Sequence, residues 1–381
     1  MSGVDAVPDR RSDLDVLRVL AIFGLLFFHA TRVFDVSEPF YVQNDVRSAL
    51  LTYGVIGTYG RWSMELLFVI SGMASWYALR GRSSRAYLRE RLARLGVPFV
   101  FGVLVLVPPQ AYLATTTYEP YLSFLRRYFT DFSDLSGYHG TFTPAQLWFV
   151  LFLLVYAVVA LPFFRWWSAP ERQAWRDGMA RAFTSPLALL SWTAPLALAG
   201  ALPGVGGKNV VGYLVYFALG YVLAGTPSYQ AAIDRDRNKL AVVAVASCAV
   251  LTASWMTEGG TERGNLTEVA LHFTRTLCAW SSVLTLLGYA HTHLNLRRRG
   301  LARANEAAFP VYVVHQTVLV AVAFVVVPLH LNVSVKYLIL VTVTFLGSVG
   351  TYLIVGRVDA LRVLFGLKRR VKVPSTRVQR A

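Results

Sequence analysis

Apolar residues gather into ten stretches, at 14–34, 61–79, 96–113, 147–164, 187–202, 210–224, 240–256, 273–292, 308–327 and 335–355, with polar or charged segments between them. A helix needs about 20 residues, rising 1.5 Å each, to cross the ~30 Å hydrocarbon layer of a bilayer. The pattern therefore predicts an all-α fold, a polytopic membrane helix bundle of about ten transmembrane helices at 14–355. A short segment at 1–13 precedes it and a tail at 356–381 follows. The first stretch holds Arg18, His29 and Arg32 and no small-residue cleavage site, so it reads as a permanent helix and not a removable signal. No internal repeat and no pair of interrupted helices of the transporter kind is visible.

Composition agrees with this picture and charge adds an orientation to it. Only 15% of residues are charged, against about 25% in soluble domains, which leaves too little polar surface to cover the chain in water. The 13% aromatic content excludes disorder, and two cysteines, Cys248 and Cys278, both in apolar runs, exclude a disulfide-stapled fold. Of the 37 Lys and Arg, 27 fall on one alternating set of connecting segments and termini, 7 on the other, and 3 within spans. Positive charge marks the cytoplasmic side, so a multi-pass protein of the cell membrane with both termini cytoplasmic is expected. Orientation then accounts for most of the net charge of +16, and no basic stripe is left over for a nucleic-acid partner. The tail, with Lys368, Arg369, Arg370 and Lys372, suits anionic membrane lipids. The sequons at Asn265 and Asn332 fall on predicted outer loops and say little alone.

An ionised side chain inside a span costs roughly 2.5–3.5 kcal/mol, so each one calls for a reason. Arg18 and His29 stand 11 residues apart. That spacing is three turns plus about 20°, which puts both on one helix face, roughly 16.5 Å apart along the axis. The blander alternatives are an arginine snorkelling to headgroups and a histidine satisfied between helices. Glu65, just inside the outer end of the second span, matches His29 in depth. A carboxylate there fixes an imidazole tautomer and stabilises the imidazolium, the alternative being an ion pair with Arg32 or Arg61. Gly72, after Ile70 and Ser71, lets two helices approach closely.

In the loop at 80–95, Leu88, Leu92 and Leu95 share one helical face and Arg91 and Arg94 another. This spacing predicts a short interfacial helix that shows its arginines to the cytoplasm, where guanidinium groups suit phosphates. Positive-inside charge with an exposed Glu90–Arg94 pair explains the same residues. In the ninth span Tyr312 and His315 share a face, with Pro310 expected near the helix start.

Together these residues resemble the acyltransferase 3 family of integral membrane O-acyltransferases. Arg18, within Leu14–Ile22, and His29 eleven residues after it are similar to its first-helix signature, and Phe68-Val69-Ile70-Ser71-Gly72 to its second-helix motif. Arg91, Arg94 and Pro98 resemble its cytoplasmic arginine motif, and Leu147-Trp148-Phe149 its mid-chain motif. Phe309 to Gln316, with Tyr312 and His315, resembles the late motif of the glucan-succinylating branch. Many members carry Asp where Glu65 stands, so Glu65 rests on its depth and not on resemblance. The resemblance implies transfer of an acyl group from cytoplasmic acyl-CoA to a hydroxyl of a carbohydrate or glycosylated metabolite. Arg18, Arg91 and Arg94 would hold the phosphates of coenzyme A, and His29 would act as general base or acyl carrier. Tyr312 or His315 would stabilise the oxyanion or place the acceptor.

The outer segment at 114–145 is rich in aromatic residues, among them Tyr118, Phe124, Tyr128 and Tyr138. They suit sugar faces, and equally an interfacial aromatic belt. No Cys, His and Asp cluster has metal-ligand spacing, so no metal is expected. A transporter or flippase using the same buried charges as a substrate path, and a non-catalytic scaffold, are the competing functions.

Overall fold

The computed structural model describes residues 11–115, 119–256, 265–295 and 299–370. Positions 1–10, Tyr118, Arg263 and Lys372, and the side chain of Asn265, lie outside the described residues. Every predicted apolar stretch is helical. The helices are α1 (Ser12–Arg32), α2 (Ser63–Leu79), α3 (Ser84–Leu113), α4 (Ala145–Val159 continued by Leu161–Trp167), α5 (Pro186–Gly200), α6 (Val210–Gly225), α7 (Pro227–Met256), α8 (Asn265–His293), α9 (Arg299–Val326) and α10 (Val333–Val355). Among the described residues there is no strand. Ser83, Ser185, Asn209 and Asn332 each accept a hydrogen bond from the backbone N–H three residues on, capping α3, α5, α6 and α10. The sequon residue Asn332 thus has a structural task.

By length and apolar composition α1, α3, α7, α9 and α10 each suffice to cross a membrane. Two bent pairs, the halves of α4 at 51° and Pro170–Ala182 with α5 at 109°, bring the number to seven. The other predicted spans are α8 and the shorter α2 and α6, of 17 and 16 residues.

Proline shapes two of these helices. The bend in α4 falls where Pro162 has no N–H to offer the preceding turn. In α3, widened π turns at Leu92–Gly96 and Gly102–Leu106 lie beside Pro98 and Pro108. They relieve the clash of each ring with the turn before it, so the helix continues. As a result the short interfacial helix expected at 80–95 is not a separate element but the first turns of α3, and Leu92 on its apolar face is exposed. Pro310 likewise lies inside α9, which starts at Arg299, and not near its beginning.

The main helix pairings are α1 with α9, α2 with α6, α7 with α8, and α9 with α10. Glycine makes the second of them possible. A Cβ on Gly72 would lie 1.9 Å from the carbonyl oxygen of Phe217, and one on Gly220 would lie 2.0 Å from that of Val69. The main chains of α2 and α6 therefore touch.

The segments that carry most of the positive charge converge at one end of the bundle. Arg11 donates to Gln230 at 3.1 Å and Ser12 to Asn295 at 2.6 Å. Arg165 donates to Ser84 at 3.0 Å, Arg235 to the Thr184 carbonyl at 2.6 Å, and Arg362 to Glu306 at 2.8 Å. These contacts join the six segments that the charge count assigns to one side. At the other end Tyr41 donates to the Ser136 carbonyl at 3.1 Å, and Lys336 to Asn44 at 2.8 Å.

Candidate functional site

The face shared by Arg18 and His29 is the face α1 turns to α9. Arg18 donates to Asn305 at 3.2 Å, and the His29 ring lies 5.1 Å, centre to centre, from that of His315. The 11-residue step on α1 matches the 10-residue step from Asn305 to His315 on a helix running the same way. Polar residues nearly 300 positions apart in sequence thus meet at two levels.

At the level away from the arginine-rich end, the His315 Nδ1 is 2.7 Å from the Tyr312 carbonyl oxygen. A carbonyl only accepts, so Nδ1 carries the proton and the neutral ring keeps its lone pair on Nε2. That Nε2 is buried without a hydrogen-bond partner, as is Nδ1 of His29. Each of these two neighbouring imidazoles thus keeps a buried ring nitrogen free of any protein partner. Among the described residues no third His, Cys, Asp or Glu joins them as a metal-ligand group.

Tyr312 lies beside His315, with ring centres 5.9 Å apart. Its hydroxyl donates to the Gln146 carbonyl. A phenol has one proton, and in this arrangement that proton is directed at the Gln146 carbonyl. Gln146 also donates to the Val313 carbonyl at 3.0 Å and accepts from Gln110 at 3.3 Å. This fastens the start of α4 and the end of α3 to the turn that holds His315.

Glu65 does not complete a triad in this structure. It hydrogen-bonds neither His29 nor an arginine, and its Oε2 is buried without a partner. Its surroundings are a cavity of about 560 Å³ towards the outer end, lined also by Phe28, Arg32, Tyr213, Tyr216 and Trp255. Phe28, which lines this cavity, meets the His29 ring edge-on at 5.1 Å. Arg32 pairs with Asp35, and with Glu38 at 2.9 Å.

The three arginines share one end of the bundle but not one contact. Arg18 also pairs with Asp15 at 3.2 Å. Arg91 donates to Ser75 at 3.1 Å and lies over the Tyr87 ring. Arg94 is half-exposed and 3.6 Å from Glu90, the pair anticipated as its alternative partner.

The segment after α1 and the one at 114–145 together cap His29. Phe40 stacks on His29 at 6.3 Å, and Tyr41 and Tyr138 pack on Phe40 in turn. Phe124 and Tyr128 are fully buried in this cap, so they build its core and offer no face to a sugar. Ser136 donates to Asp134 and holds that carboxyl below the usual carboxylate range. Lys208, counted in the sequence only as an outer charge, is half-buried at this end of the bundle. It sits 5.4 Å from the ring centre of Trp148, and burial lowers its proton affinity. Gln110, Gln146 and Lys208 were legible only as polar residues at span edges, where polarity is ordinary.

Comparison with known proteins bears on this arrangement. Glucans biosynthesis protein C of Salmonella gallinarum is 26% identical over 178 residues, which cover 45% of this chain and 43% of that protein. The matched stretch is therefore less than half of that relative's length. No solved structure matches the chain. The model of the acyltransferase 3 family, described as an acyltransferase domain, matches residues 11–353. That match runs from just before the arginine of α1 to the end of α10 and takes in both histidines. The chain belongs to the acyltransferase 3 family of membrane acyltransferases.

Proposed function

We propose that the protein moves an acyl group from cytoplasmic acyl-CoA to a hydroxyl of a carbohydrate or glycosylated small molecule. The observation that carries this reading is the buried pair of unpartnered nitrogens on His29 and His315, aligned on the α1–α9 face with Arg18. His29 takes the proton of the acceptor hydroxyl as its oxygen attacks the thioester carbonyl. The carbon–sulfur bond breaks, and the departing thiolate recovers the proton as free coenzyme A. In a two-step form His29 carries the acyl group in between. His315, with its tautomer fixed, accepts a hydrogen bond from the acceptor and orients it. Glu65 with the aromatic residues of the outer cavity supplies the mixed polar and flat surface that sugars favour, and the relative's name, a glucan biosynthesis protein, supports a carbohydrate acceptor. Mass spectrometry of surface glycans and secreted metabolites should show an acylated species that disappears with the protein. Identical profiles in both samples would overturn the reading.

The donor side makes two further predictions. If the arginine-rich end is cytoplasmic, an impermeant thiol reagent applied to intact cells labels His139→Cys and spares Ser84→Cys. Labelling of position 84 would invert the topology. Arg91→Ala and Arg94→Ala should weaken acyl-CoA binding roughly 10- to 150-fold, the effect of losing a charge-assisted contact worth about 1.5–3 kcal/mol. The effect is expected to be larger for Arg91, which is anchored to Ser75. Normal binding by both folded variants would return these residues to an orientation role.

A further inference from the structure

At the arginine-rich end α2, α4, α6 and the start of α7 enclose a second cavity of about 400 Å³. Trp76, Arg80, Arg165, Ser168 and Tyr221 line it, and no acidic residue does. Arg80, where α2 ends, is exposed. Arg165 donates only to neutral oxygens, Ser84 Oγ at 3.0 Å and the Arg82 carbonyl at 2.9 Å. Two guanidinium groups therefore face one cavity with no carboxylate in its lining. Trp76 meets Tyr221 edge-on at 5.1 Å, and Tyr221 is fixed by stacking on Phe164 at 3.7 Å. The Tyr221 and Ser168 hydroxyls are 2.6 Å apart.

Paired guanidinium groups bind phosphate, an indole stacks on a planar base, and hydroxyls serve a ribose. The cavity is tied to the arginine motif through its lining residues. Arg165 holds the Arg82 carbonyl and Ser84 at the start of α3, and Ser75, the partner of Arg91, is the neighbour of Trp76 in sequence. We infer that this cavity seats the adenosine-phosphate end of the donor, with Arg80 and Arg165 on its phosphates and Trp76 against the adenine. The assignment rests on the acyl-CoA reading above and extends the donor site beyond Arg91 and Arg94.

The test uses the full chain in nanodiscs and adenosine 3′,5′-bisphosphate as probe, followed by tryptophan fluorescence and by competition with acyl-CoA. The probe should bind saturably and displace acyl-CoA, and Trp76→Phe should remove most of the fluorescence change. Arg80→Ala and Arg165→Ala should each weaken the probe and acyl-CoA roughly tenfold or more. Arg172→Ala, which removes an arginine stacked on Trp166 outside the cavity, should leave both unchanged. If acyl-CoA binds all variants equally, the cavity assignment is wrong and the donor reading stands. If neither acyl-CoA nor the probe binds the wild-type protein, both fail. A third outcome would identify a lipid-headgroup site and overturn the assignment. In it, phosphatidylglycerol in the disc abolishes probe binding and the two variants alter lipid affinity alone.

Discussion

His29→Ala protein is expected to insert, fold and bind acyl-CoA as the wild type does while losing about 10²–10⁴-fold in transfer rate, the usual worth of a general base. The side chain meets His315, Phe28 and Phe40 by ring contacts only, and its buried Nδ1 bonds nothing. Removing it therefore breaks no hydrogen bond in the resting protein. His29→Gln offers no usable proton acceptor and should be as inactive. Glu65→Gln should be milder, because Glu65 faces the outer cavity and does not touch the imidazole; its effect should appear in acceptor KM more than in kcat. Purified variants assayed with labelled acyl-CoA decide the matter. A well-folded His29→Ala protein that transfers at near-normal rate would move the chemistry to His315 or favour a transport function.

The second large effect is on folding. Gly72→Ala and Gly220→Ala each place a methyl group about 2 Å from a backbone carbonyl oxygen. No rotamer change clears a main-chain atom, so α2 and α6 must separate. Overpacking of this kind typically costs 1–3 kcal/mol and sometimes more. Both variants should show a clearly lower Tm in detergent and poor yield. Gly350→Ala, in α10 with open space around it, serves as the control. It should be neutral or slightly stabilising, by up to ~1 kcal/mol, because alanine favours the helix. Equal melting of Gly72→Ala and wild type would show that the two helices do not meet as described.

Much of this architecture was legible because hydrophobic length and charge alternation act locally. Each apolar stretch is a helix, and Arg18 and His29 fall on one face because a helix repeats every 3.6 residues. The junction of Gly72 with another helix was visible from the missing side chain. What a single chain does not display is the partner across a helix interface. The pairing of His29 with His315, and the hold of Gln146 on Tyr312, join residues that no local pattern links. Glu65 matched His29 in depth, but depth does not fix rotation, and its carboxyl faces a different space. The continuity of α3 from Ser84 was not legible, because no local pattern announces the two π turns that carry the helix past Pro98 and Pro108. Aromatic density at 114–145 says nothing of direction, and Phe124 and Tyr128 turn inward to build the cap.

The glycine contact between α2 and α6 also bears on permeability. Both helices line the outer cavity near Glu65, Tyr213 and Tyr216, and both line the inner one near Trp76 and Tyr221. Between these two vestibules lie Gly72 and Gly220, where main chain meets main chain. A solute travelling along this helix pair would have to force apart backbones already in contact, at the narrowest point of an hourglass. Along this helix pair the two vestibules are divided by main chain packed on main chain.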